Sequence, residues 1–264
     1  MPSRPGDLAD RLARAAGGGD AAAVARLLSE GAEVDGLGED GRSALDLAVH
    51  AGHVGVVRVL LEAGADPQQT AGAYGEVTPL CLAAMYGYVD VAELLLDAGA
   101  ATGAQGRLEF PPLVLAATSS DHGYPQMVDL LLRRGADIDG TKRGRTSLEW
   151  AAAFGNVRMV HHLLARGATP TAKAVSEAHA GAERYAKAVR DEQKRQEKQE
   201  GYALVLAALL AAGVVGRALF PPSLAGSLRG HRGHWGPPGV LESRRMDVQA
   251  PVRARWTASS RPIR

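Results

Sequence analysis

The chain has 264 residues and a formal net charge of +1. Its 46% hydrophobic content with only 5% aromatics suits close packing of short helices rather than one bulky core, and its single cysteine, Cys81, excludes an intramolecular disulfide and a cysteine-based zinc site. The balance of charge is uneven. Residues 217–264 hold nine Arg, no Lys and two acids, net +7, which leaves −6 on the first 216 residues. Arg outnumbers Lys 25 to 5, the signature of a GC-rich, bacterial genome. The opening MPSRPGDLADRLARAAGGGD has no apolar core of a secretory signal, so the cytoplasm is the expected location.

The predicted elements begin with a partial unit, LARAAGGGDAAAVARLLSEGAEVD, and a fuller one follows, GRSALDLAVHAGHVGVVRVLLEAGAD at 41–66. The next, TPLCLAAMYGYVDVAELLLDAGA at 78–100, falls in register with it: Leu45 on Leu80, Ala48 on Ala83, Gly52 on Gly87, Leu60 on Leu95. Two further copies are PPLVLAATSSDHGYPQMVDLLLRRGAD and TSLEWAAAFGNVRMVHHLLARGA. The closing glycines Gly31, Gly64, Gly99, Gly135 and Gly167 are spaced by 33, 35, 36 and 32 residues. Insertions fall between units (Gln68 to Ala73) or between the two helices of a unit (Ser119 to Tyr124), never inside the second helix. Packed helices cannot slip, whereas exposed turns lengthen at little cost. Thr78 and Thr146 are placed as N-caps, Pro79 sits at the first helical position, and Thr146 to Glu149 has capping-box spacing, which Ser43 to Asp46 approximates. One unit of this length leaves its apolar faces uncovered, so the units must stack.

This pattern resembles the ankyrin repeat, with its T-P-L-H-x-A-A start, central G-H and closing L-L-x-x-G-A-D. The resemblance covers five units: 8–36 (the capping repeat), 38–70, 74–104, 106–140 and 141–170. It implies an all-α solenoid of paired antiparallel helices joined by projecting hairpin turns. The sequence departs from the motif at its histidine, replaced by Asp46, Cys81, Val114 and Glu149, and at one threonine, replaced by Pro111. The hydrogen bonding between repeats that the family builds on that histidine is therefore open to question.

After the repeats, Val175, Ala178, Ala182, Tyr185 and Val189 keep helical spacing, and a helix covering the end of repeat five is expected within 171–200. Its continuation, DEQKRQEKQE at 191–200, reads as a solvated extension. A separate apolar helix is expected over 202–220, YALVLAALLAAGVVGRALF. Its fifteen uncharged residues fall short of the ~18–20 a membrane span needs, and the basic segment after it should stay cytoplasmic. Folding back onto the repeats is preferred, and a membrane-tethered form is the alternative. Residues 221–264, rich in Arg, Gly and Pro without a period, read as disordered.

Motifs that carry chemistry fail on context. GLGEDG at 36–41 matches a dinucleotide fingerprint but occupies a hairpin turn, and GADIDGTK at 135–142 reverses the Lys-Ser/Thr order a phosphate loop needs. His50 and His53 straddle a helix end without a carboxylate or thiol partner, and His53 matches the structural G-H position. Neither an enzyme nor a cofactor, metal or specific nucleic-acid site is expected; surface remains. The resemblance implies that a protein partner is gripped by the hairpin tips and by the exposed ends of the first helices, on a concave face. Carried over position by position, the helix set is His50, Met85, Tyr86 and Phe154, and the tip set is Arg42, Tyr74, Phe110, Lys142, Arg143 and Arg145. Tyr86, Phe110 and Phe154 are expected to be solvated; Trp150 is expected to pack between helices. The three basic residues of the last tip point to a partner with an acidic surface, and an adaptor, scaffold, inhibitor or regulatory partner of an enzyme are all roles such a surface serves.

Overall fold

A computed structural model describes residues 5–70, 77–104, 110–120, 123–189 and 191–213. Its elements are helix pairs: α1 (Pro5–Gly17) and α2 (Ala21–Ser29), α3 (Ala44–Ala51) and α4 (Val54–Glu62), α5 (Pro79–Tyr86) and α6 (Val89–Asp97), α7 (Pro112–Thr118) and α8 (Pro125–Arg133), α9 (Ser147–Ala153) and α10 (Val157–Ala165). A two-stranded hairpin, β1 (Thr141–Lys142) and β2 (Arg145–Thr146), precedes α9, and two longer helices follow, α11 (Ala172–Ala188) and α12 (Glu192–Ala211). The first helices stack in the order α1, α3, α5, α7, α9, α11; the second helices α2, α4, α6 and α8 form a parallel layer. This is the all-α repeat solenoid that the sequence implies.

Each pair is punctuated as its sequence dictates. Ser43, Thr78 and Thr146 accept a backbone N–H at the third helical position, and Thr146 with Glu149 completes a reciprocal capping box. Pro111 offers no such acceptor at the start of α7, where Pro112 instead presets the first turn. Every second helix ends on a glycine with φ between 86° and 96°, a left-handed conformation that a Cβ would strain. Inside the stack Leu45, Leu60, Leu80, Leu95, Leu131, Leu148 and Leu163 are fully buried. Each contributes roughly 1.5–3 kcal/mol of burial.

Successive first helices are locked by a recurring contact. The ring that follows one repeat's central glycine lies on the central glycine of the repeat before: His53 on Gly19, Tyr88 on Gly52, Tyr124 on Gly87. A Cβ at Gly87 would collide with the Tyr124 ring, so the slot exists only because the residue is glycine. The histidine lost from the T-P-L-H position is replaced piecemeal. Cys81 Sγ donates to the Phe110 carbonyl of the next repeat at 3.2 Å, and Glu149 accepts from Thr171 of α11 at 2.9 Å. Asp46 turns inward to Arg42 of its own repeat, and Val114 contributes packing alone.

One expectation for the C-terminal helices is corrected. The break falls at Val189–Asp191, not at Gly201, so the charged run and the start of the apolar run form one helix, α12. That helix folds back onto α11 and α10, burying Tyr202, Val205, Leu206, Ala208 and Leu209. Among the described residues no helix is long and apolar enough to cross a membrane. Residues 214–220 and the Arg-rich segment 221–264 lie outside the described residues.

Candidate functional site

The positions singled out on the first helices gather at the C-terminal ends of that layer. His50 ends α3 and Tyr86 ends α5, in adjacent turns of the stack. Their rings meet edge to face with centroids 5.3 Å apart, and Tyr86 Oη lies 3.3 Å from His50 Nδ1. Tyr86 also stacks on Tyr88, centroids 5.6 Å apart, so the exposed ring is held by two neighbours. Met85 is half-buried against the core. Phe154 caps α9 and is 50% exposed. Tyr86, at 37%, is the other large exposed ring here.

Trp150 is not the core residue the sequence suggested. It is half-buried, stacked on Phe154 with centroids 5.8 Å apart, and its indole N–H donates to the Lys142 carbonyl at 3.3 Å. The reason is register: one turn before Phe154 it faces the hairpin, while Leu148, Ala151 and Ala152 take the interior. The wall Trp150–Phe154 therefore ties the last hairpin to the helix face. The sequence reading placed Trp150 between helices from its position in the repeat.

The hairpin tip also departs from expectation. Of its three basic residues only Arg143 stands in solvent. Arg145 pairs with Glu177 of α11 at 2.7 Å and lies over the Trp150 ring. Lys142 sits 3.4 Å above the centroid of Phe110, and burial pushes its ammonium below the usual lysine range. Phe110 is thus half-buried rather than solvated. The carboxylate expected from a partner is supplied at Arg145 by the chain's own capping helix, 32 residues on. Arg143 has φ 52° and Gly144 φ 71°, the pair of left-handed residues a two-residue hairpin demands, and an arginine there is strained. At the earlier tip Arg42 is likewise engaged, 2.6 Å from the Asp46 carboxylate, which raises the guanidinium pKa further. Tyr74 lies outside the described residues.

A cavity of about 370 Å³ opens beside Phe154, where the end of α7 meets the end of α9 and the α11–α12 hairpin. It coincides with the one interruption of the ring-on-glycine series. After Gly155 the residue is Asn156, not an aromatic, and Asn156 uses its Oδ1 to cap α10 by accepting from Met159 N at 3.1 Å. The methyl end of Met159 reaches Gly123 instead. Beyond it, Tyr202 of α12 takes the place a sixth repeat's ring would take. Its ring lies on Gly155 and its hydroxyl donates to the Ala153 carbonyl at 2.9 Å. At the other end of the stack His53 lies on Gly19 and its Nε2 donates to the Gly17 carbonyl at 3.1 Å. In both cases the accepting carbonyl belongs to the residue two before the glycine. This role of Tyr202 escaped the sequence reading; a lone tyrosine where the charged run turns apolar was the available signal.

Nothing in these groupings is arranged for catalysis. Among the described residues no three His, Cys, Asp or Glu side chains converge as metal ligands. Cys81 is buried, and burial raises its thiol pKa, the setting of a packed cysteine. His162 and Arg166 both contact the Asp129 carboxylate at 2.8 Å, joining α10 to α8.

Comparison with known proteins agrees with this architecture. The family model for ankyrin repeats (3 copies) matches residues 12–106 and 80–174. A Caenorhabditis elegans homolog of transient receptor potential cation channel subfamily A member 1 is 32% identical over 54% of this chain and 12% of its own length. The ankyrin repeat and KH domain-containing protein mask-1 of the same organism is 35% identical over 57% of the chain and 6% of its own. An L-asparaginase of Dirofilaria immitis is 31% identical over 60% of the chain and 26% of its own. The chain therefore spans about a quarter or less of these relatives. With the repeat register, the two helical layers and the match all in agreement, the chain belongs to the ankyrin-repeat family.

Proposed function

We propose that this chain is a non-enzymatic binding module that holds another protein along the exposed ends of its first helices, in the manner of an adaptor, scaffold or inhibitor. The observation that carries this reading is the exposure of Tyr86 and Phe154, both braced by a second ring. Rigid, preorganised aromatics of this kind supply interface energy at low entropic cost. Arg143, held on a strained two-residue turn with its charge in solvent, adds a basic contact at the rim and favours a partner with an acidic surface. Ankyrin repeats generally mediate protein–protein interaction, and nothing in the described residues competes with that use. We place the module in the bacterial cytoplasm, on its arginine-rich composition.

The test is affinity capture from native lysate, followed by mass spectrometry, with the wild-type chain beside a Tyr86→Ala, Phe154→Ala double variant. Both side chains are exposed, so the fold should survive. A partner held by the wild type should be lost or weakened at least about tenfold in the variant. A partner retained equally by both would remove the aromatic row from the interface.

A further inference from the structure

The cavity beside Phe154 has a lining of uniform chemical sense. Its polar groups are the hydroxyls of Ser119, Ser120 and Tyr185, the Asn156 amide and the Lys198 ammonium, beside Thr118 and Tyr202, whose hydroxyls already donate to the Val114 and Ala153 carbonyls; among the described residues no carboxylate lines it. Asn156 is only 6% exposed. Its oxygen is committed to capping α10, so the amide N–H₂ is the part of this side chain that can serve a ligand in the cavity. Lys198 is half-buried, with its ammonium 5.9 Å from the Tyr185 ring centroid, which places a positive charge beside the cavity. One side of the opening is the exposed Phe154 ring. The volume suits one or two side chains.

We propose that this cavity receives the carboxylate side chain of an acidic peptide segment, with a neighbouring apolar side chain of that segment laid on Phe154. The proposal deepens the protein-binding reading above and rests on it. The carboxylate accepts from Asn156 Nδ2 and from the serine hydroxyls, and Lys198 balances its charge. Charge-assisted hydrogen bonds to an acceptor in a partly desolvated site are the strong ones. The site is particular to this end of the stack. It exists because Asn156 stands where its neighbours carry a ring, and because the α11–α12 hairpin brings Tyr185 and Lys198 across the end of repeat five.

The experiment pans a random dodecapeptide display library on the full-length chain, then measures synthesised winners by fluorescence anisotropy on wild type, Asn156→Asp and Lys198→Gln. Asn156→Asp keeps the helix cap but turns a donor into a negative acceptor. Thermal melts check that it folds, and Lys198→Gln tests the site at the rim without touching the cap. The expected result is enrichment of peptides with Asp or Glu beside an apolar residue. Binding should weaken about tenfold or more when that acid is changed to its amide, and likewise on Asn156→Asp. Peptides that bind equally to all three proteins would overturn the cavity assignment while leaving the chain a protein binder. No enrichment at all would also overturn it, and the lysate capture then judges the broader reading independently.

Discussion

The stack from α1 to α8 and the end built from α9 to α12 solve the same packing problem by different means. In the first, rings of His53, Tyr88 and Tyr124 lie on glycines, and the links that charged groups make between repeats, Asp35 to Asp66 N and Asp97 to Arg134, lie at the surface. In the second, polar groups take over. Glu149 is 4% exposed and accepts from Thr146 N and Thr171 Oγ1, with Lys173 3.4 Å away. Arg145 reaches Glu177, and Tyr202 reaches the Ala153 carbonyl. The difference teaches where identity resides in a repeat protein. Apolar interfaces are interchangeable along the stack, whereas the polar end admits only its own capping helices.

The largest effect should come from the apolar region. Leu95→Ala removes a fully buried side chain from the middle of the stack and should cost ~2–5 kcal/mol. Because each repeat is stabilised by its neighbours, urea unfolding followed by far-UV circular dichroism should show the midpoint of the whole transition fall. An unchanged midpoint would mean the register is wrong. Next is Gly181→Ala in α11, whose added methyl would collide with the Ala153 carbonyl oxygen. A forced shift of this kind costs roughly 1–3 kcal/mol. Here the loss should be local: amide exchange should speed in α11 and α12 and stay slow in α3 to α6. Uniform loss of protection would erase the distinction between the two regions.

Tyr202→Phe is milder. It keeps the ring on Gly155 but leaves the Ala153 carbonyl without its donor, at about 1 kcal/mol, read as a lower urea midpoint. The smallest effect concerns Asp129. Burial alone would raise its carboxyl pKa, but hydrogen bonds from Arg166 and His162 outweigh it and hold the pKa below the ordinary value. A depressed carboxylate pKa stabilises the fold above the unfolded value of about 3.9, and that contribution fades as pH falls through the folded value. The gap in urea midpoint between wild type and Asp129→Asn should therefore be present at neutral pH and close in acid. A gap that persists at low pH would assign the effect to packing.

The repeat spacing, the caps at Thr78 and Thr146 and the closing glycines were all legible in the sequence, because each is a local pattern whose physics repeats. So was the exposure of Tyr86 and Phe154, at helix ends where the motif leaves a residue unpacked. What the sequence hid was pairing over distance. Nothing near Arg145 announces Glu177, and nothing near Gly155 announces Tyr202, since the acid and the ring come from helices outside the repeat pattern. Phe110 was misjudged for a related reason: the lysine that covers it belongs to the next tip. Trp150 shows a different limit, a large ring whose place was decided by hairpin geometry.

By occupying the slot over Gly155, Tyr202 sets the length of the array. A duplicated unit inserted after Gly167 would bring its own ring to Gly155 and evict α12. The displaced helix would find a seat only if the newcomer ended its first helix as α9 does, with an unobstructed carbonyl two residues before a glycine. Lengthening at this end is therefore a coupled event, in which a new repeat and a matching terminus must arise together. Substitution along the exposed row carries no such condition. The architecture thus leaves what is bound free to drift while holding the count of its repeats fixed.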